Sequence, residues 1–535
     1  MKKIIILIGA LCVLGFWNVS FADHHEEGGK SPVLTGLKAE AAQMVDNNAK
    51  MVQVIVDTLF SFSELAFQEF ETQKYLTKLL EDNGFVVEQG VSGLPSSWWA
   101  TWSNGEGPII ALGTDVDGIP KASQMPGVAY RKPMVNGAPG HGEGHNSGQA
   151  VNIVAALAVK ELMIREDIKG TLVLWPGIAE ELVAAKAYYA RDGLFKGVDA
   201  VLFTHVGRNL NTSWGTGRGT GLVSVEYTFD GKAAHGAGDP WRGKSALDAV
   251  ELMNVGWNYK REHLHPLQRS HYVVTDGGDQ PNVVPSKASV WYFIREMTAK
   301  KIRENFEALD QIASGAAMMT GTTKSRRIIG SAWPRNFNKT IAVAMTENIK
   351  AIGLPEWSED DQAFAKAVQT MLERDEINGL ATELDELQGP PDQPQSGGSD
   401  DIGDVSWNVP TVTLRYPSNI RGTTGHHWSS AIAMATPIAH KGAVQGAKVM
   451  AATILDLMQD EKLLKDAWTY FEEEQLGDIT YEPFISATDV PAIEKNREIM
   501  ATYKEALKKY YYDSNKFSSY LEQLGIEYPE LKKQD

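Results

Sequence analysis

Residues 109–120 read Ile-Ile-Ala-Leu-Gly-Thr-Asp-Val-Asp-Gly-Ile-Pro, a short apolar run followed by a turn that contains two aspartates. Further apolar runs of strand length lie at 171–175 and 200–204, and a stretch with helical spacing of apolar residues lies at 150–164. Strands that alternate with helices predict an α/β domain with parallel strands. Ligands bind outside the carboxyl ends of such strands, so polar residues at these ends are candidates for a functional site.

Downstream of these strands, the sequence predicts a second domain at 220–335. Its elements are predicted as strand 222–230, helix 244–262, strands 270–275 and 287–295, helix 298–317 and strand 326–330. This βαββαβ order is typical of a small ferredoxin-like domain. A strand at 411–414 and a helix at 438–458 return to the α/β pattern. We therefore expect the small domain to be inserted between two parts of the larger one, residues 30–219 and 336–465.

Three segments lie outside this core pattern. Apolar residues at helical spacing from about 36 to 83 predict two helices. A segment rich in Asp, Gly, Pro and Gln at 381–404 is predicted to be a surface loop that approaches a site. The remaining tail, residues 466–535, is predicted to be a helical extension.

The amino terminus has the layout of a secretory signal peptide. Lys2 and Lys3 precede an apolar run from 4 to 16 and the small-residue segment Ser20-Phe21-Ala22, which predicts a signal peptide over residues 1–22. A retained membrane anchor is the alternative, although the run is shorter than the roughly 20 residues that span a bilayer. We expect an exported protein, periplasmic or secreted, with no membrane contact after cleavage.

Composition narrows the classes of partner. The 535 residues include 43% hydrophobic residues, enough for more than one packed core. The formal charge is −17 and no basic block occurs, so nucleic acid is an improbable partner. The only cysteine, Cys12, lies within the predicted signal peptide, so the mature chain has no disulfide.

Several polar motifs fall at the predicted strand ends. The most concentrated is Gly140-His-Gly-Glu-Gly-His-Asn-Ser-Gly148, whose glycines allow imidazole and carboxylate groups to converge. The others are Asp115 and Asp117, Glu180-Glu181 at the predicted start of a helix, His205, and Gly425-His-His-Trp428. Nitrogen and oxygen ligands of this kind suit zinc or manganese. Each motif alone has an ordinary structural explanation, but together they predict a metal site.

The order of these motifs resembles the aminoacylase, carboxypeptidase G and auxin-conjugate amidohydrolase family of co-catalytic metallopeptidases. The resemblance is greatest to the p-aminobenzoyl-glutamate hydrolase branch, and it covers nearly the whole mature chain. The segments that carry it further are Leu65–Glu69, Ala234-His235, Gly243–Ala249, Pro281–Pro285, Gly398–Trp407 and Ile438–Gly442. The implied fold is a mixed-sheet catalytic domain with an inserted lid domain that forms a homodimer.

The resemblance also implies the roles of individual residues. Two divalent metal ions per subunit, zinc or manganese, would be held by Glu143, His145, Glu181, His205 and His426, with His427 as the rival to His426. Glu180 would be the catalytic base, and Asp117 would orient a ligand. His235 from the facing subunit would donate to the developing oxyanion, and Asn282 and Arg295 would hold the substrate's carboxylate. Ordinary surface or structural roles are the alternatives for His235 and Arg295.

Glu143 departs from the family pattern. Relatives in this branch carry a cysteine there, whose sulfur contacts both metals, whereas more distant members carry an aspartate. Our hypothesis is that Glu143 bridges the two ions; the alternative is that one metal site has been lost.

The expected activity is hydrolysis of the amide bond of an N-acyl amino acid, a p-aminobenzoyl-glutamate-like conjugate or a small dipeptide. A catalytically silent binding or assembly protein that kept the fold is the alternative. Serine hydrolase and single-metal protease mechanisms are disfavoured because Gly-x-Ser-x-Gly and His-Glu-x-x-His are absent from the sequence.

Overall fold

Two sheets organise the computed structural model, which describes residues 33–532. The predicted signal peptide therefore lies outside the described residues. The strands of the described chain are β1 (Val86–Gln89), β2 (Trp98–Ser103), β3 (Ile109–Asp115), β4 (Thr171–Gly177), β5 (Ala200–Val206), β6 (Gly221–Asp230), β7 (Arg269–Asp276), β8 (Lys287–Glu296), β9 (Thr323–Ala332) and β10 (Thr411–Tyr416).

The helices are α1 (Gly36–Asn47), α2 (Ala49–Phe62), α3 (Phe70–Asp82), α4 (Gly148–Arg165), α5 (Lys186–Arg191), α6 (Ala246–Arg261), α7 (Ala299–Thr320), α8 (Lys339–Ile352), α9 (Glu359–Met371), α10 (Ile402–Ser406), α11 (Trp428–Ala431), α12 (Pro437–Gln459), α13 (Glu461–Tyr470), α14 (Arg497–Leu507) and α15 (Tyr520–Leu524). Within residues 33–532, no helix combines the length and apolar character required to cross a membrane.

The larger sheet has the order β1-β2-β4-β3-β5-β10. Strands β4, β3, β5 and β10 are parallel, and β1 and β2 extend the sheet in the antiparallel sense. Helices α4 and α12 pack against each other and against this sheet, and most of their residues are buried. The predicted α/β architecture is confirmed. The antiparallel strands β1 and β2 were not predicted, and β1, at the edge, is a short and mostly exposed strand without an apolar run.

The smaller sheet is antiparallel, with the order β7-β8-β6-β9, and it carries α6 and α7. Its element order confirms the predicted βαββαβ domain, which we call the lid. At the β9 edge, the backbone of Gly330 approaches Val183 and Ala184 of the larger domain, so this edge is covered. The β7 edge pairs with no further strand among the described residues.

The prediction of two helices between residues 36 and 83 is wrong, because three helices form. The first helix ends just before Asn48 and the second begins just after it, and residues from Ser63 to Glu69 are not helical. Ser63 and Phe67 have positive φ angles of 51° and 66°, which a continuous helix does not allow. The Glu64 carboxylate accepts the N–H groups of Glu71 and Thr72, which fixes the start of α3.

The carboxyl-terminal extension is helical only in part, which corrects the prediction for 466–535. Between α13 and α14, and again before and after α15, the chain is largely irregular. Pro483, Pro491 and Pro529 interrupt helical hydrogen bonding in these stretches. The extension nevertheless packs on the larger domain: the Tyr520 N–H donates to Asp57 Oδ2 over 3.0 Å.

Candidate metal centre

The carboxyl ends of the parallel strands bring polar residues to one edge of the larger sheet. Asp115 ends β3 and Asp117 follows it, while His205 lies near the end of β5. His145 lies just before α4, and its loop needs glycine at Gly144, where φ is +115°. A Cβ at Gly148 would collide with Thr114, so the glycine allows the first turn of α4 to approach β3. The sheet topology and these two glycines therefore place His145 beside the strand ends.

The pair Glu180-Glu181 lies on a single 3₁₀ turn, Glu180–Leu182, after β4. The prediction that these residues begin an α-helix is wrong, because Ala179 and Val183 on either side have positive φ angles of 51° and 53°. This conformation is costly for a β-branched residue such as Val183, so surrounding contacts must maintain it. One of them is the buried Glu69 carboxylate, whose Oε1 accepts the Ala179 N–H over 2.8 Å.

Glu143 lies between two of the predicted histidine ligands. Its Oε1 is 2.9 Å from His426 Nε2, and its Oε2 is 3.7 Å from His205 Nε2. His426 Nε2 is also 3.3 Å from Glu181 Oε2. The two oxygens of the Glu143 carboxylate thus face different histidines, as the bridging hypothesis requires.

His145 lies at the buried side of the same cluster. Its Nδ1 is 4.0 Å from Glu181 Oε1, and its Nε2 is 4.0 Å from Glu180 Oε2. Asp117 contacts both sides of this arrangement: its Oδ2 accepts the Glu181 N–H over 3.0 Å, and its Oδ1 is 3.5 Å from His145 Nδ1. Asp117 is therefore placed to orient these two predicted ligands.

The donor atoms fit divalent metal ions. His145 Nε2, Asp115 Oδ2 and Asp117 Oδ1 are buried and have no hydrogen-bond partner among the described residues, and unpaired buried polar atoms are costly. Potential ligand atoms of His145, Glu180 and Glu181 lie within 4.8 Å of one another, and so do those of Asp115, His145 and His205. Imidazole nitrogens and carboxylate oxygens at this spacing are the ligands of zinc and manganese sites.

The sequence analysis missed a charged group beneath this cluster. The Lys186 Nζ is buried, lies 2.6 Å from Asp115 Oδ1 and 3.7 Å from Asp400 Oδ1, and forms an ion pair with Asp401. Asp400 and Asp401 belong to a segment that the family resemblance included without giving it a role. No local signal marks Lys186, because its partners come from distant parts of the chain.

The crowding of carboxylates shows in their pKa values. Burial, together with the charges of Asp115 and Asp400, raises the pKa of Glu180 well above its ordinary value. Burial likewise raises the pKa of Glu181 to about 8, although His145 and His426 oppose the shift. Glu143 differs: burial opposes its ionisation, but the hydrogen bond from His426 and the charge of His205 hold its pKa well below the usual range.

The pKa values of His205 and His426 are shifted in opposite directions. Burial and the charge of Arg415 lower the pKa of His205 to about 3, so its imidazole is neutral. Its Nδ1 is 2.8 Å from the Val206 carbonyl oxygen, to which an Nδ1–H donates, and Nε2 is then the nitrogen with a free lone pair. Arg415 Nη1 also lies 3.1 Å from Nδ1, and an N–H donated from Arg415 would favour the tautomer with its hydrogen on Nε2. Metal binding at Nε2 therefore requires the tautomer in which Nδ1–H donates to Val206. The hydrogen bond to Glu143 raises the pKa of His426 to about 9.

Of the two adjacent histidines, His426 contacts the cluster and His427 does not. His426 has a positive φ of 52° and is exposed, whereas His427 Nδ1 lies 2.9 Å from Ser429 Oγ at the start of α11. The left-handed backbone at His426 turns the two imidazoles toward different surroundings. This geometry favours His426 over His427 as the ligand.

A cavity of about 470 Å³ opens over the cluster beneath the lid, and we call it the lid-side cavity. Glu143, Glu180, Glu181, His205 and His426 line one wall, and His271, Phe293 and Arg295 of the lid line the other. The Arg295 guanidinium donates to Ser399 Oγ over 2.8 Å and to His271 Nε2 over 3.3 Å. Arg295 therefore lines the same cavity as the cluster, and its role in substrate binding remains a prediction.

His235 and Asn282, the other two lid residues with a predicted role, lie away from the cluster of this chain. His235 and Asn282 are exposed, and neither lines the lid-side cavity. His235 Nδ1 accepts the N–H groups of Ala237 and Gly238 over 3.1 and 3.0 Å. Its Nε2 is consequently protonated and available as a donor to another molecule. The expectation that these residues serve a facing subunit agrees with their exposure and remains a prediction.

Comparisons with known proteins identify relatives of this chain. Residues 219–317 match the family of the peptidase dimerisation domain. The chain is 33% identical over 438 residues to a p-aminobenzoyl-glutamate hydrolase chain of Escherichia coli (strain K12), and the match covers 77% of this chain and 90% of that protein. It is 28% identical to the Xaa-Arg dipeptidase of Mus musculus, covering 82% and 94% of the two chains. The crystal structure of an aminobenzoyl-glutamate utilization protein from Klebsiella pneumoniae shares the fold, with a TM-score of 0.53, 15% identity, and coverage of 77% and 98%.

Proposed function

Because the chain belongs to the M20 family of peptidases, which hydrolyse amide bonds, we propose that it is a metal-dependent amidohydrolase. Its substrates would be N-acyl amino acids, p-aminobenzoyl-glutamate-like conjugates or small dipeptides. The observation that carries the proposal is the position of Glu180, whose carboxylate lines the lid-side cavity immediately beside the histidine and carboxylate cluster. A proton acceptor next to a metal-binding cluster is the arrangement that amide hydrolysis requires.

Five residues would hold two divalent metal ions, zinc or manganese: Glu143, His145, Glu181, His205 and His426. When bound, the ions would polarise the amide carbonyl and make water more acidic. Lys186 neutralises part of the negative charge beneath the cluster through Asp115 and Asp401. Asp117 holds Glu181 and His145 in orientation, which limits their rearrangement during turnover.

Glu180 would move the proton. Its carboxylate accepts a proton from the attacking water and passes it to the nitrogen of the leaving amine, so one residue acts in both directions. The lid residues His271, Phe293 and Arg295 form one wall of the cavity and would limit the access of water to a bound substrate. Arg295 would bind the substrate's carboxylate through the charged face that it presents to the cavity.

The active assembly would be a homodimer formed through the lid. The exposed positions of His235 and Asn282 and the free β7 edge support this arrangement. The partner's lid would then supply Asn282 for the substrate and His235 as donor to the developing oxyanion. We further propose that the protein is exported after removal of residues 1–22.

The test uses residues 23–535, purified and reconstituted with zinc or manganese. Mass spectrometry of reactions with N-acyl amino acids, dipeptides and p-aminobenzoyl-glutamate would identify any hydrolysed amide. Glu180→Gln keeps the shape of the side chain but removes the base, so kcat should fall by about 10²–10⁴-fold. Equal activity of wild type and variant, or no activity of the reconstituted wild type toward any amide, would overturn the proposal.

A further inference from the structure

A second cavity, of about 480 Å³, lies beside the same cluster, and we call it the loop-side cavity. Most of its lining belongs to the loops that follow β5 and β10, Glu143 and Asp385 come from two other loops, and no residue of the lid lines it. Glu143, His205 and Arg415 line both this cavity and the lid-side cavity. A substrate whose amide lies over the cluster can therefore extend in two directions.

The arginines of the loop-side cavity fall into two groups, according to whether they form an ion pair. Arg421 and Asp385 are paired, because Arg421 Nη2 is 3.6 Å from Asp385 Oδ1. Asp385 is further engaged by Asn211, which donates to its Oδ2 over 2.7 Å. This pair adds little net charge to the cavity.

Arg208 and Arg415 form the second group, and neither makes an ion pair with a carboxylate of residues 33–532. Arg208 donates through Nε to the Ile420 carbonyl and through Nη2 to the Thr423 carbonyl, over 3.2 and 3.1 Å. Arg415 Nη1 lies 3.4 Å from the Val206 carbonyl. Two backbone carbonyls thus hold the Arg208 guanidinium, whereas Arg415 contacts one carbonyl and the His205 ring, and both side chains keep N–H donors for a ligand.

Glu143, the second acidic group of the cavity besides Asp385, attracts Arg208 electrostatically but forms no ion pair with it. Glu143 lies at the boundary with the cluster, where His426 and His205 face its oxygens. The chain as a whole carries 68 acidic against 51 basic residues. The net negative charge of the protein repels an anionic substrate. Two guanidinium groups without an ion-pair partner in one cavity would offset this repulsion locally and attract an anion.

We propose that the loop-side cavity binds a second carboxylate of the substrate through Arg208 and Arg415. The inference rests on the proposed function and narrows its substrates to dicarboxylic amides, with one carboxylate on the lid side and one on the loop side. The planar guanidinium fork suits a carboxylate, which accepts two parallel hydrogen bonds. The second carboxylate belongs either to the acyl group or to the side chain of the amino acid, and the substrate pairs below distinguish these sources.

The experiment compares matched substrates that differ in one charge. N-succinyl-alanine against N-butyryl-alanine tests a carboxylate on the acyl group, and N-acetyl-glutamate against N-acetyl-glutamine tests one on the side chain. In one of the two pairs, the wild type should favour the charged member by about tenfold to a hundredfold in kcat/KM, the range for hydrogen bonds to charged groups. The preferred pair identifies the source of the carboxylate.

Arg208→Gln is the test variant and Arg374→Gln is its matched control. Arg374 also donates to the loop that Arg208 holds, to the Gly422 carbonyl and to Thr424 Oγ1, but it does not line the cavity. Arg208→Gln should abolish the preference for the charged substrate, because kcat/KM should fall much more for the charged member of the pair than for the uncharged one. Arg374→Gln should keep the preference, which separates loss of charge from loosening of the loop.

Binding provides a readout that does not depend on turnover. Calorimetry on the Glu180→Gln protein should show about tenfold to a hundredfold weaker binding of the preferred dicarboxylate when Arg208→Gln is added. The inference is overturned if neither pair shows a charge preference, or if Arg208→Gln leaves preference and binding unchanged. Absence of hydrolysis with intact, Arg208-dependent binding would refute the proposed function and leave the inference standing.

Discussion

At the scale of single residues, His426 and His427 provide the sharpest comparison in the chain. They are neighbours in sequence, but only His426 contacts Glu143 and Glu181. We expect His426→Ala to lower the content of bound metal and to reduce kcat by at least about tenfold, since it removes one ligand nitrogen. His427→Ala is the matched control and should retain both, with a small loss of stability because His427 caps α11. Metal analysis and kinetics check both variants, and a reversed result would assign the ligand role to His427.

Glu143 stands where the family resemblance of its motif implies a cysteine. If its two oxygens bridge two ions, Glu143→Ala should weaken both sites and leave far fewer than two ions per chain after reconstitution. Glu143→Cys, which restores the residue type of the relatives, should recover metal binding under reducing conditions. Glu161→Ala, on the exposed face of α4, is the control for loss of one carboxylate. Two ions retained in Glu143→Ala would show that Glu143 is not the bridge.

The sequence predicted the residues at strand ends better than the residues beneath them. Asp117 and His205 were placed correctly because the ends of parallel strands meet at one edge of a sheet. Lys186 was missed because its partner Asp401 lies 215 residues away, and sequence order does not say which loops meet. The same reason hid Arg415, whose contact with Val206 depends on the pairing of β10 with β5.

At the scale of elements, the turn that carries Glu180 and Glu181 depends on contacts from outside it. Its flanking residues are left-handed, so local propensity alone predicts a different structure, and the helix expected there does not form. Glu69 contributes through the Ala179 N–H, and it lies in the irregular segment that separates α2 from α3. The break between these two helices, which was also not predicted, therefore supports the position of the proposed base.

Glu64, in the same segment, makes the start of α3 sensitive to pH. Burial raises the pKa of Glu64 to about 7 from 4.5, despite the hydrogen bonds from Glu71 and Thr72. Because the folded-state pKa is the higher one, the stability linked to this group is complete below about pH 4.5 and is lost as the pH rises to about 7. Glu64→Gln should therefore lose less unfolding free energy than the wild type between pH 5 and pH 8, by up to about 3 kcal/mol.

Urea unfolding at both pH values measures this difference. Glu161→Gln, on an exposed face, gives the baseline for removing one carboxylate. Parallel loss of stability in wild type and Glu64→Gln would contradict the assignment.

At the scale of the whole molecule, the lid has one covered edge and one edge that pairs with no other strand of residues 33–532. The β9 edge abuts the larger domain, whereas β7 presents Val273 and Val274 with exposed fractions of 57% and 44%. Exposed apolar residues on an unpaired edge strand are suited to association with a second chain. This surface lies in the segment that matches the peptidase dimerisation domain. We therefore expect a dimer built through β7, in which His235 and Asn282 would face the site of the partner.

Complementation between inactive chains tests whether His235 acts across such a dimer. Each active site would combine Glu180 of one chain with His235 of its partner, so His235→Ala and Glu180→Gln homodimers should both be nearly inactive. Co-expressed with different affinity tags, they form heterodimers that contain one site with both residues intact. Random pairing should then restore roughly a quarter of the wild-type activity, measured on protein whose dimeric state is verified by sedimentation.

The control pairs Glu180→Gln with Glu143→Ala, which damage the same half of the site. Every site in that heterodimer lacks one of the two residues, so no activity should return. Restoration in the first mixture alone would place His235 in the partner's site, because an unspecific stabilising effect of mixing would act on both. No restoration in either mixture, with dimers present and both homodimers inactive, would mean that His235 serves its own chain. An active His235→Ala homodimer would show instead that His235 has no role in catalysis.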